Sequence, residues 1–113
     1  MYLIMLIKRL SSIPHIPTSH SYGLKQVLLS NSETETHITQ IAVTELKQGE
    51  TADGHSHPDM QEWFFVLGGH LQITVNGIPH ICSEGDFIMI DLSEVHELHA
   101  LTDCRFLSIG CTL

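Results

Sequence analysis

Histidines at 55 and 57 and a glutamate at 62 lie within residues 49–69, GETADGHSHPDMQEWFFVLGG, with glycines at both ends. Side chains two residues apart on a strand point to the same side. His55 and His57 can therefore face one way, and two imidazoles held like that are half of a metal site. A further ligand should come from a strand adjacent in space, and His96 is the natural candidate. Three imidazoles and one carboxylate suit a divalent first-row metal such as Fe, Mn, Ni, Co, Cu or Zn. An octahedral ion held by four protein groups keeps two positions for water, dioxygen or a chelating substrate. The ligand histidines must be neutral at the metal nitrogen, so affinity should fall as pH drops below about 6.5.

The elements that must position these groups read as strands. Residues 25–29 (KQVLL) form a short strand candidate, and 31–35 (NSETE) a turn. Residues 37–46, HITQIAVTEL, are rich in β-branched side chains with apolar groups on both faces, as in a strand buried between layers. Residues 47–54 read as a turn, 55–57 as a strand broken by Pro58, and 62–67 (EWFFVL) as a strongly apolar strand. In 71–75 (LQITV), Leu71, Ile73 and Val75 alternate inward. Asn76-Gly77 is a two-residue hairpin signal, because both central positions of a type I′ turn need positive φ. The return strand is 78–82, with Pro79 near its start. Further strands are expected at 87–90 (FIMI, buried), 95–101 (VHELHAL) and 104–111 (CRFLSIGC). No long helix is supported, and many short strands at short spacing imply an all-β antiparallel sandwich or barrel.

The chain has 113 residues, which fits one domain. Thirteen Asp and Glu against five Lys and Arg give a formal net charge of -8. That balance argues against nucleic acid and against an anionic membrane surface. The opening MYLIMLIKRL is a poor signal peptide, since Lys8 and Arg9 follow the apolar run, and it is too short to span a bilayer. It reads as a first strand that could pack on a partner subunit. Cys82, Cys104 and Cys111 lack CxxC spacing and are expected reduced, in the cytoplasm.

At this point the chain resembles the cupins, small jelly-roll β-barrels. Gly49, His55, His57, Glu62 and Gly69 match the spacing of their first motif, and Gly85 and His96 match their second. Asp91 stands where proline is usual, Ser93 where glycine is usual and Ala100 where asparagine is usual. Those departures concern turn geometry and a strand end, not ligation. The resemblance covers about residues 49–100, and the strand pattern extends it to 113. It implies an all-β, cupin-type jelly-roll barrel of short antiparallel strands over 36–113. Residues 1–35 would pack on the barrel or on a partner subunit. The metal ligands implied are His55, His57, Glu62 and His96. Metal-dependent dioxygenases, isomerases, decarboxylases and cyclases of small molecules have this form, as do non-catalytic modules that sense a ligand or metal. Glu62 is the residue placed to move protons, and no second general base is evident.

Alternation then divides the strand at 62–67. Phe64 and Val66 should line the interior with Leu71, Ile73, Val75 and Leu98, and Met60 should reach the mouth. Trp63 and Phe65 face away, toward another layer of the same chain or a second subunit in a homodimer. His99 should point away from His96, and His70 and His80 should lie on the surface. His15, His20 and His37 carry no spacing argument. No convincing cation for a phosphate or carboxylate stands out, with Arg105 and Lys47 the candidates, so a small, weakly charged substrate is expected.

Overall fold

The computed structural model describes residues 5–113 and, at His55, the backbone. The strands are β1 (Ile16–Pro17), β2 (Leu24–Ser30), β3 (Ile38–Leu46), β4 (Thr51–His55), β5 (Met60–Gly68), β6 (His70–Val75), β7 (Ile78–Ser83), β8 (Phe87–Ile90), β9 (His96–Ala100) and β10 (Cys104–Thr112). They form two sheets, ordered β1-β2-β3-β10-β5-β8 and β4-β9-β6-β7. Every neighbouring pair is antiparallel. The result is the jelly-roll sandwich expected from the short-strand pattern.

The core lies between the sheets and draws on both. Phe64, Val66, Ile90 and Phe106 come from the six-stranded sheet, and Leu71, Ile73, Leu98 and Ala100 from the other. These positions recur at intervals of two, as the pleat requires. The Phe64 and Phe106 rings meet edge to face at 5.7 Å, a favoured aromatic geometry. Fully burying each such side chain contributes roughly 2–3 kcal/mol. The inward set read from alternation is buried, except that Val75 is half-buried.

The β6–β7 hairpin turns at Asn76 (φ 49) and Gly77 (φ 81), both positive as a type I′ turn demands. Pro79 sits on β7, an edge strand, where its missing N–H breaks no second ladder. Gly69 (φ +80) joins β5 to β6 where a Cβ would run into the Asp103 carbonyl oxygen and lie 2.8 Å from the Cys104 Cα. Only glycine fits there.

Four expectations need correction. The strand read over 55–57 ends at His55, and His57 lies beyond it, because Pro58 opens a turn and the His57 carbonyl leaves the sheet. The turn at 47–54 is shorter than expected, since β4 already begins at Thr51. The run FIMI is buried on one face only: β8 is an edge strand whose Phe87 and Met89 are exposed. The first strand expected over 1–10 falls partly outside the described residues. Over 5–9 the backbone carries no strand, and Leu10–Ser12 forms a single 3-10 turn. That turn is tied to the sheet by the buried Gln26, whose amide donates to the carbonyls of Leu10 (2.8 Å) and Ile13 (3.0 Å).

Candidate functional site

A cavity of about 270 Å³ opens between the sheets, and His57, Glu62 and His96 stand together on its wall. Each arrives by a different route. Glu62 is on β5, between Gly110 of β10 and Ile90 of β8 in register. His96 opens β9 and is 2% exposed. Its Cα pairs with that of His55 across β4 and β9. His57 follows β4, and its carbonyl accepts the Ser93 N–H at 2.8 Å. The loop before His96 therefore fixes the backbone of His57.

Glu62 Oε1 is the point where the donors converge, 3.2 Å from His96 Nε2 and 3.5 Å from His57 Nε2. Glu62 Oε1 and His96 Nε2 are both buried from solvent. His96 Nδ1 lies 3.1 Å from the Glu94 carbonyl. A carbonyl can only accept, so Nδ1 carries a proton, while Nε2 faces Glu62 Oε1: it donates there when the ring is charged and offers its lone pair to a metal when the ring is neutral. This is how ligand imidazoles are oriented from behind. Burial pushes the His96 pKa down, but hydrogen bonds to Glu62 and the Glu94 carbonyl, with the Glu62 charge, raise it overall.

Two imidazole nitrogens and a carboxylate oxygen fit a divalent transition metal by donor chemistry. Among the described residues, which exclude the His55 side chain, no group of three or more His, Cys, Asp or Glu is arranged as a finished metal cage.

The loop carrying the departures from the familiar motif is held from both sides. Asp91 Oδ1 accepts from Gln61 Nε2 (3.0 Å) and from the Leu92 N–H (2.8 Å), which together hold its carboxyl below the usual range. The Val95 N–H donates to Asn76 Oδ1 (3.2 Å), and the Val95 carbonyl accepts the Asn76 N–H (2.8 Å). Ser93 itself sits at φ 62, in the left-handed region that favours glycine.

The rest of the lining was not legible as a site. Thr18, Ser19, His20, Tyr22 and Lys25 border the cavity from the N-terminal part of the chain, with Thr39 and Gln40, while Met60 reaches it as alternation implied. Lys25 Nζ donates to Gln40 Oε1 at 3.2 Å. The two cations considered from sequence lie elsewhere. Arg105 Nε pairs with Glu45 Oε1 at 3.4 Å, and Lys47 borders that same outer region. His70 and His80 are exposed, as alternation implied, and His99 is half-buried on the face opposite His96. The three cysteines are free. Burial pushes the Cys104 thiol up to about 11, so it is not a poised nucleophile.

Fold and site together define a jelly-roll domain with a cavity between its two sheets. The chain belongs to the cupin family: the cupin domain model matches residues 42–110, more than half of it. Among solved structures it is similar to a predicted oxalate decarboxylase from Thermotoga maritima, with 24% identity, 96% of this chain and 100% of that chain covered, and a TM-score of 0.85. It is also similar to ectoine synthase from P. lautus (20% identity, 96% and 78% covered, TM-score 0.83). A third is the polyketide cyclase RemF from Streptomyces resistomycificus (16% identity, 96% and 80% covered, TM-score 0.83). At these identities the likeness establishes the fold. No curated protein matches the chain.

Proposed function

We propose that this cupin is a metal-dependent enzyme, of oxygenase or isomerase type, acting on a small organic molecule in the cavity between its sheets. His55, His57, Glu62 and His96 hold one divalent metal, drawn from Fe, Mn, Ni, Co, Cu or Zn. The observation that carries this reading is the convergence of His57 Nε2 and His96 Nε2 on Glu62 Oε1, at 3.5 and 3.2 Å, on the wall of the cavity. The bound metal supplies a Lewis acid beside the substrate. Glu62, at the centre of the cluster, holds or releases a proton at Oε1. Phe64, Leu98 and Phe106 exclude water from behind it.

The test is metal content after loading with Fe(II), Mn(II) or Zn(II), then oxygen uptake and turnover on a panel of small organic acids, thiols and phenols. His57→Ala is expected to lose more than about tenfold in metal affinity, the scale on which metal sites respond to losing even supporting groups. Unchanged metal stoichiometry in that variant would sink the ligand assignment.

A second reading is a non-catalytic module that senses a small ligand or metal. It is favoured by one feature: Glu62 is the single carboxylate among the described lining residues, which leaves no second acid–base group of that kind. Stoichiometric ligand binding with no turnover under any metal would select it.

The protein is placed in the cytoplasm, with its cysteines reduced. A second copy of the chain is proposed to cover the outer face of β5 and β8, where Phe65, Phe87 and Met89 are exposed side by side.

A further inference from the structure

We infer that the cavity takes a small carboxylic acid, its carboxylate held by Lys25 and its other end presented to Glu62. The inference deepens the enzyme reading and rests on it for the far end only.

Lys25 is the single Lys or Arg among the described residues that line the cavity. It is half-buried, and the partner of its ammonium is the neutral carbonyl of the Gln40 side chain. Cations elsewhere in the chain are differently placed. Lys8 pairs with Glu33 at 2.7 Å and Arg105 with Glu45 at 3.4 Å. A partly desolvated ammonium facing a cavity gains most from an anion, because removing a charge from water is costly unless it is paired.

The register shows how far such an anion would reach. Gln40 of β3, Gly110 of β10 and Glu62 of β5 are direct neighbours across the sheet. The Gln40 and Glu62 Cα atoms are thus two strand spacings apart, about 10 Å. The middle position carries no side chain. A Cβ on Gly110 would run into Thr39 Oγ1 and lie 3.1 Å from Met60 Sδ. The row thus has a cation delivered at one end, the Thr39 hydroxyl and the Met60 thioether lying over Gly110 in the middle, and the Glu62 cluster at the other. Of the threonine hydroxyls that border it, Thr18 donates to the Tyr22 carbonyl and Thr39 to Met60 Sδ (3.4 Å), so Thr44 is the one placed to donate to the second carboxylate oxygen or to meet a substrate hydroxyl. A short acid with one further polar function matches that length and polarity.

The experiment is calorimetric titration of Zn(II)-loaded protein, chosen because zinc is redox-inert, with pyruvate, malonate and succinate and with their primary amides. Wild type should bind at least one acid about tenfold or more tighter than its amide, the scale of a hydrogen bond to a charged group. Lys25→Met and, as a second variant, Lys25→Gln should erase that preference while zinc stoichiometry stays unchanged. Lys25→Arg should keep most of it. The inference is overturned if no acid binds wild type, if amides bind as well, or if both neutral variants bind acids as wild type does. Zinc retained with Lys25-independent binding removes this inference and leaves the metal reading standing. Lys25-dependent binding without stoichiometric zinc does the reverse.

Discussion

At the scale of single residues, position 93 shows how the site is positioned. Ser93 adopts φ 62 while its N–H holds the His57 carbonyl at 2.8 Å. An L-residue in the left-handed region carries a steric cost of roughly 1–2 kcal/mol. Glycine would relieve it but restores about 0.4–1 kcal/mol of chain entropy to the unfolded state. Ser93→Gly should therefore stabilise the fold by about 0.5 kcal/mol and raise Tm by about 2 °C. Scanning calorimetry checks it, and a fall in Tm would mean that the serine side chain contributes more than its strain costs. The residues that converge on the cavity wall were the most legible part of the chain. Glu62 and His96 lie on strands whose alternation fixes which side they face. His57 reaches the same cluster by another route, since spacing alone could not reveal that Pro58 ends the strand and that a loop takes over its backbone.

Among elements, the turn at Leu10–Ser12 is tied to the sheet by one buried polar side chain, in addition to the β1–β2 pairing that follows it. Gln26 is 5% exposed and its amide spans two carbonyls of the preceding turn. Replacing it with an apolar side chain removes a donor from both carbonyls, a loss of about 1–3 kcal/mol, although the Leu10 carbonyl keeps the Ile13 N–H at 3.1 Å. Gln26→Leu should free the segment around Lys8 and Arg9, so trypsin should cut there faster than in wild type. Equal cleavage rates would show that other contacts hold the turn. Strand order is what sequence could not supply here. β2 was legible as a short strand and pairs with β3, the next long strand in the chain, but that this brings Lys25 to the cavity depends on β3 lying beside the distant β10. The β8 reading failed for a related reason: an apolar run of four looks the same at the centre of a sheet as at its edge.

For the whole molecule, the outer face of the six-stranded sheet is unevenly covered. Near β2 and β3 the turn at Leu10–Ser12 lies over Gln26. Near β5 and β8, Phe65, Phe87 and Met89 are 39%, 63% and 53% exposed, with Trp63 half-buried beside them. An apolar patch rimmed by polar residues favours association, and a two-fold dimer is the commonest closed form. Light scattering coupled to sizing at micromolar concentration should give twice the chain mass, and Phe87→Glu should return a monomer with the cavity unaltered. A wild-type monomer at that concentration would refute the dimer.

The cupin domain model begins at residue 42, yet Thr18, Ser19, His20, Tyr22, Lys25 and Gln40 all precede it on the cavity border. The solved structures described above nonetheless cover 96% of the chain, so these border positions belong to the same fold as the rest. On the proposed reading, residues 18–40 would select the guest and the cluster from His57 onward would act on it. Two relatives could then agree throughout the second set and still take unrelated guests.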